Sequence, residues 1–143
     1  MKIFDGLIAV VAVLSWTALA GHAQTGGKTV DRLFPLDCGH LHLQDGGRVS
    51  PAFAGKALEL SDTCYLIHAA QGYVLWETGA PDALVTQPAP TNTALVLSRT
   101  TTLLSQLTDI GVKPSDIRYV AISHTHGDHA GNVELFPGVT LLI

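Results

Sequence analysis

Ser123 to Asn132 reads SHTHGDHAGN, and it begins on the last residue of a short apolar run, YVAIS, Tyr119 to Ser123. Of the seven histidines in the 143-residue chain, three fall with an aspartate between His124 and His129. The apolar run predicts a strand, and its end is where the cluster must sit. On an extended segment His124 and His126 lie on one side and can reach one metal ion. Gly127 is expected to let the backbone turn tightly, which brings Asp128 and His129 round toward a second ion. Gly131 is expected to permit a close backbone approach. Imidazole and carboxylate donors at this spacing suit zinc, and iron, manganese or cobalt fit the same set. A strand end also holds ligands more firmly than a free loop does.

Two adjacent metals imply a chemistry. Metal-held hydroxide is a strong nucleophile near neutral pH, because the ion lowers the pKa of bound water from 15.7 to about 7. The expected reaction is hydrolysis of an ester, lactone, amide or thioester. A His-x-His pair alone carries little information. GHLHL places His40 and His42 at the same spacing with no acidic or further histidine partner close behind, so these are expected to be strand or loop residues. His68 is expected on a sheet surface.

The rest of the chain reads as alternating elements. TVDRLFPLDCG alternates apolar and polar residues around Pro35 and predicts an edge strand. Gln44 to Lys56 holds Gly46, Gly47, Pro51 and Gly55 and predicts a long loop. Tyr65 to Ala69 and Tyr73 to Trp76 predict a hairpin turning at Gln71-Gly72. Glu77-Thr78-Gly79 then demands a sharp turn, and Pro88 and Pro90 mark another loop. Leucines 97, 103, 104 and 107 with Ile110 predict a helix over 97–110, ended by Gly111. VTLLI at the end predicts a last strand. This order implies an α/β layered domain.

Composition bounds the function. Apolar residues make up 47% of the chain, charged residues 14%, and the formal net charge is -4. That supports a packed core and argues against nucleic-acid binding, which needs a basic surface. Part of the apolar content lies at the N-terminus, where Lys2 precedes an unbroken apolar run from Leu7 to Leu14. Ala18-Leu19-Ala20 and Gly21-His22-Ala23 then supply small-residue cleavage sites. Residues 1–23 are therefore expected to be a signal peptide, although Asp5 is unusual there. The run is shorter than the roughly 20 residues of a spanning helix, so no stable membrane anchor is expected after cleavage. The expected location is periplasmic or secreted. In that compartment Cys38 and Cys64 could form a disulfide, or could be two separate buried residues.

SHTHGDHAGN resembles the metal motif of the metallo-β-lactamase superfamily. The lead-in GVKPSDIRYVAISH and the hairpin CYLIHAAQGYVLWETGAPDAL are also similar to that superfamily, and most to its secreted N-acyl-homoserine-lactonase-like branch. The resemblance covers about Thr29 to the end. It implies an αββα sandwich with a dinuclear zinc site at the edge of its sheets. By position, His124 and His126 would bind the first ion, and Asp128 and His129 the second. Asp128 would also be catalytic, orienting the hydroxide and passing a proton to the leaving group. In the family the hairpin ends Asp-Thr-Gly. Glu77 here keeps the charge but adds a methylene, which leaves open the contact that carboxylate makes.

The family takes its remaining ligands from later in the chain, so residues 24–143 are expected to be the N-terminal half of the hydrolase domain, inactive alone. The leading expectation for the complete protein is a hydrolase for small-molecule lactones of the N-acyl homoserine lactone type. Two alternatives stand beside it: a secreted β-lactamase of the same fold, and a non-catalytic metal-binding module.

Overall fold

The computed structural model describes residues 30–143. The expected signal peptide, His22 and the Gly-rich stretch from Thr25 to Lys28 lie outside the described residues. Six strands form one sheet: β1 (Val30–Leu43), β2 (Leu58–Ala69), β3 (Gly72–Trp76), β4 (Leu95–Ser98), β5 (Ile117–Ala121) and β6 (Thr140–Leu142), in the order β4-β1-β2-β3-β5-β6. The β4, β1, β2 and β3 neighbours are antiparallel, whereas β3–β5 and β5–β6 are parallel. Two α-helices, α1 (Leu103–Asp109) and α2 (Gly127–Ala130), and five short 3-10 turns complete the regular structure of the described residues.

Register assigns each residue to a face. Phe34, Leu66, Leu75 and Val120 stand opposite one another across four strands, as do Leu36 and Cys64. This face is buried against Leu103 and Leu107 of α1, with Val112, Ile122 and Phe136. The opposite face carries Leu33, Ile67, Val74 and Tyr119 in one row and Pro35, Tyr65 and Trp76 in the next. Leu33 is 54% exposed, Tyr65 38% and Trp76 43%. An apolar sheet face of this kind is what the second layer of a sandwich covers.

Several boundaries differ from those the sequence predicts. The hairpin is present, but β2 begins at Leu58 rather than Tyr65, and the turn residues are Ala70 and Gln71. β1 runs on to Leu43, and only its last four residues, His40 to Leu43, pair with β4. Upstream of them β1 is an edge, as expected. There the Gln106 side chain stands in for a neighbouring strand, accepting from Asp37 N at 2.8 Å and donating to Asp37 O at 2.7 Å. The long loop holds two short 3-10 turns, Gly46–Arg48 and Pro51–Phe53.

The helix expected over 97–110 is the largest correction. Leu97 lies in β4, and the helix starts after Thr102, whose side chain accepts from Ser105 N at 3.1 Å. Thr102 is thus the N-cap, and a capped start excludes the residues before it. The leucine spacing across Arg99 to Thr102 mimics a helical stripe without being one.

The helix ends as predicted. Gly111 has φ +75°, Val112 N donates to Leu107 O at 2.9 Å and Gly111 N to Thr108 O at 2.9 Å. This is the Schellman pattern, which needs a left-handed residue at Gly111. A Cβ at Gly111 would meet nothing within 4 Å, so the cost of a side chain there is conformational alone. Gly111→Ala is expected to lower stability by about 1 kcal/mol, and Gly111→Asn by less. Urea unfolding midpoints compared across the two variants check this ordering.

Candidate metal centre

β3 and β5 are parallel, so the segments after both strands emerge at the same edge of the sheet. Trp76 pairs with Ala121, and Glu77 N donates to Ala121 O at 2.8 Å. The strand β5 runs from Ile117 to Ala121, two residues earlier than predicted. His124 and His126 therefore stand on the loop beyond it, before α2. His126 is the N-cap of α2, and its carbonyl accepts from His129 N at 3.0 Å and Ala130 N at 2.9 Å.

The two extensions are tied together. Thr78 N donates to His129 O at 2.8 Å, and Thr78 Oγ1 donates to the same oxygen at 3.0 Å. Asn132 is 2% exposed, and its Nδ2 donates to Thr78 O and Ala80 O, both at 2.7 Å. Its Oδ1 accepts from Asp82 N at 2.7 Å, and its backbone N donates to Thr78 Oγ1 at 3.1 Å. Both polar ends of this buried side chain are engaged. Asn132 stands at the end of the histidine motif, and sequence reasoning assigned it no role.

The glycines divide. Gly131 N donates to Gly79 O at 3.0 Å, and a Cβ at Gly131 would meet Gly127 O and Gly79 O at 2.5 Å and Pro81 N at 2.6 Å. The expected close approach is real. Gly127 is different: its φ is not positive and a Cβ there would meet nothing within 4 Å. The expectation that Gly127 is needed for a tight turn is therefore corrected; the helical start at α2 makes the turn.

Three imidazoles gather here. The His124 ring centroid is 4.4 Å from that of His126 and 4.1 Å from that of His129. Ser123 Oγ lies 3.1 Å from His124 Nδ1 and 3.5 Å from His129 Nδ1. Asp128 Oδ2 lies 3.6 Å from His129 Nε2. His124 and His126 are exposed, while Asp128 and His129 are half-buried. The four residues singled out from the sequence are thus brought together. Among the described residues, no three His, Cys, Asp or Glu side chains already form a shell round one point, so holding an ion requires rotation of these side chains. The donors themselves, three imidazoles and a carboxylate on one edge, fit a borderline divalent ion such as zinc.

Glu77 is the departure from the family hairpin. It is 5% exposed and has φ 64°, the one positive φ among the described non-glycine residues. Such a conformation costs about 1–2 kcal/mol. Its carboxylate holds the ends of both extensions: Oε1 accepts from Ser123 N at 3.1 Å, and Oε2 lies 3.3 Å from His129 Nδ1. Oε2 is sealed from solvent and has no hydrogen bond of good geometry. The longer side chain reaches the motif histidine.

Two further groups escaped sequence reasoning, and for a third, the cysteine pair, the sequence leaves two options open. Arg99, 5% exposed, donates from Nη1 to Ala80 O at 2.5 Å, from Nε to Thr101 O at 2.7 Å and from Nη2 to Asp37 O at 3.4 Å. Its Nε is 3.3 Å from Asp82 Oδ1. Burial lowers its pKa, opposed by Asp82, Asp37 and Asp62. Asp62 on β2 is 9% exposed with Oδ2 unpartnered, and lies behind the same turn, opposite Gly39. Burial pushes its carboxyl up to about 6; the His129 charge opposes this and the Asp128 charge adds to it. Cys38 and Cys64 form a disulfide, both residues fully buried. The other histidines among the described residues stand apart. His40 and His42 are on β1 beside Asp37 and Glu59, and His68 pairs with Asp31 at 2.7 Å.

Residues 59–140 match the Metallo-beta-lactamase superfamily. The chain belongs to that superfamily. Curated relatives include the N-acyl homoserine lactonase AiiA of Bacillus thuringiensis subsp. kurstaki, 28% identical over 122 residues, covering 80% of this chain and 49% of the relative. The N-acyl homoserine lactonase AiiB of Agrobacterium fabrum is 29% identical over 121 residues, covering 74% and 44%. A solved N-acyl homoserine lactone hydrolase with the product N-hexanoyl-L-homoserine at its catalytic metal centre superposes with TM-score 0.68 at 29% identity, covering 79% of this chain and 48% of that one. A single-residue mutant of Bacillus thuringiensis AiiA, with N-decanoyl-L-homoserine bound at its active site, gives the same TM-score, 0.68, and identity, 29%, over 79% and 48%. The fold is thus that of the metallo-β-lactamases, and the chain spans about half the length of the curated relatives it matches.

The packing separates the two motif glycines. Gly131→Ala is expected to cost about 3 kcal/mol, because backbone rather than side chain blocks the new methyl, while Gly127→Ala, at a helical position with open space, should be neutral or stabilise by up to about 1 kcal/mol. Thermal unfolding of the two variants checks the contrast. For Asp62 the folded pKa lies above the unfolded value, so the folded state holds the proton more tightly. Its contribution is full below about pH 4 and is lost as pH rises through about 6. Asp62→Asn should flatten that part of the stability–pH curve, leaving the variant about 2 kcal/mol better relative to the parent at pH 8 than at pH 4. Urea unfolding of both proteins at the two pH values checks it.

Proposed function

We propose that this chain carries one side of a two-metal hydrolase site that opens lactone rings of the N-acyl homoserine lactone type. His124 and His126 would hold one ion and Asp128 and His129 the other, with zinc as the first choice and iron, manganese or cobalt as alternatives. The observation that supports this most is the gathering of those four side chains at the ends of β3 and β5, with the Glu77 carboxylate against His129 Nδ1. The substrate class rests on the relatives, which are named as N-acyl homoserine lactonases. The activity is proposed for the whole protein that contains this chain.

Bound metals supply a nucleophile from water at neutral pH and polarise the ester carbonyl. The residues do the rest. Glu77, with Oε2 3.3 Å from His129 Nδ1, would orient the ring as the side chains turn toward an ion and leave Nε2 as the ligand atom. Asp128, half-buried beside Nε2, would take a proton from the attacking water and return it to the ring oxygen as the acyl C–O bond breaks. The product is a hydroxy acid, and its ionisation releases a proton. Export to the periplasm or exterior is part of the proposal, supported by the leader-like N-terminus and by a disulfide of the kind that persists in oxidising compartments.

Elemental analysis of the protein containing this chain should find about two ions per chain. His126→Ala should chiefly remove the first and His129→Ala the second, while His40→Ala with His42→Ala should leave metal content unchanged. Ring opening of an N-acyl homoserine lactone, followed with a pH indicator, should fall on the order of 10²-fold in Asp128→Asn. Residues 1–143 alone should give no turnover above free zinc, because two donors per ion hold neither ion firmly. Hydrolysis of β-lactams without hydrolysis of lactones would turn the reading toward a β-lactamase, and full metal content in the doubly substituted His126 and His129 protein would remove the ligand assignment.

A further inference from the structure

β1 does not run straight past the metal centre. Its register against β2 breaks between Asp37 and Gly39, and Cys38 is the residue the break leaves without a partner. A bulge re-aims a side chain and bends the strand that carries it. Here it turns Cys38 inward, fully buried, onto Cys64. The bulge is the bed on which the turn after β3 lies. Ala80 N donates to Cys38 O at 2.9 Å, and a Cβ at Gly79 would meet Cys38 Cβ at 2.5 Å, its O at 2.6 Å and its Sγ at 2.9 Å. The same turn carries Glu77, against His129 Nδ1, and Thr78, on His129 O. Arg99 joins the two, with Nη1 on Ala80 O and Nη2 3.9 Å from Cys38 Sγ. His124 and His126 are tied to this turn less directly, through Ser123 N, which donates to Glu77 Oε1 at 3.1 Å, and through His126 O, which accepts from His129 N at 3.0 Å; their side chains stand exposed on the loop after β5.

We propose that the Cys38–Cys64 disulfide is a redox control on the metal centre: the oxidised pair holds the Glu77–Ala80 turn, and through it the Asp128–His129 side, so that reduction weakens the ion on that side while sparing the His124–His126 ion. This rests on the metal reading above. Reduction adds two electrons and two protons and breaks one S–S bond to leave two thiols; two molecules of a thiol such as glutathione supply them and are joined as their own disulfide. Access comes from the edge. From Val30 to Gly39, β1 pairs on one side only, and an edge stretch is where local opening is easiest. Two thiols remain apolar enough to stay buried, but the bulge then lacks its covalent tie to β2. The turn lying on it gains freedom that His129 shares.

The test uses the whole protein containing this chain. Cobalt(II) binding by the oxidised and the phosphine-reduced protein is measured by chelator competition, with the visible absorption of the bound ion separating the two sites. One ion should bind at least about tenfold more weakly after reduction, with far-ultraviolet dichroism unchanged, and reoxidation should restore it. Cys38→Ala with Cys64→Ala should behave as the reduced form. Should that variant not fold, the wild-type protein still decides the matter by reciprocity. In a glutathione redox titration with free zinc held fixed by a chelator, metal should make the disulfide harder to reduce, and a tenfold coupling lowers its potential by about 30 mV. If the freed thiols were themselves ligands, metal would raise the potential, and that sign overturns the inference. Equal affinities in the two redox states overturn it too and leave the metal reading standing. No metal uptake even by the oxidised protein removes the metal reading and this inference together.

Discussion

The candidate metal centre depends on one buried side chain that lies outside the proposed ligand set. Asn132 holds the turn after β3 against the end of α2 with three side-chain hydrogen bonds, to Thr78 O, Ala80 O and Asp82 N. Backbone groups in a turn have no ladder partner, and each one buried unpaired costs about 1–3 kcal/mol. A primary amide answers both signs at once, donating twice and accepting once. Aspartate would lose the donors, and leucine of similar size would lose everything. With the amide in place, Thr78 is free to bind His129 O, and Gly131 can approach Gly79. The position of His129 is therefore set from behind, by polar contacts that are complete before any ligand arrives.

Charge is concentrated behind the same edge. Glu77, Asp62 and Asp128 are carboxylates with little exposure, and one oxygen of each of the first two is sealed and unpaired. At Asp62 burial already favours the neutral form. Arg99 is the buried cation of the region, and its guanidinium is committed to Ala80, Thr101 and Asp82 on the far side of the turn. The histidine side thus carries an excess of acceptors over fixed cations. That balance suits a site for divalent cations, and it supports the proposed chemistry independently of any relative.

The motif itself was legible because its information is local. Four candidate donors within six residues at the end of an apolar run stand out in the sequence, and the hairpin and the Gly111 stop are written in turn chemistry just as local. The hidden features all need a partner far along the chain. Thr102 as N-cap is visible only once β4 is known to claim Leu97, and β4 exists because His40 to Leu43 of β1 pair with it. Gly127 and Gly131 look alike in sequence, yet only Gly131 has backbone of another segment against it. Asp62 reads as a polar residue beside a strand, and its burial comes from a bulge in β1 that no periodicity announces. The disulfide could be left only as one of two options, since whether two cysteines meet depends on that bulge.

Glu77 shows how a site absorbs a change in one of its parts. The shorter carboxylate of the family would end one methylene nearer the backbone. Here the backbone is in the left-handed region at Glu77, an arrangement that costs energy and persists only where the surroundings fix it. They do so on both sides: Glu77 N is bound to Ala121 O, and the next residue is clamped to His129 by two hydrogen bonds. The carboxylate then reaches Ser123 N with one oxygen and approaches His129 Nδ1 with the other. A flexible side chain alone could be placed in many ways. Held by its backbone between two strand ends, it has one, with Oε2 3.3 Å from His129 Nδ1. Local strain at Glu77 and the metal chemistry proposed for His129 are thus two consequences of the parallel pairing of β3 with β5.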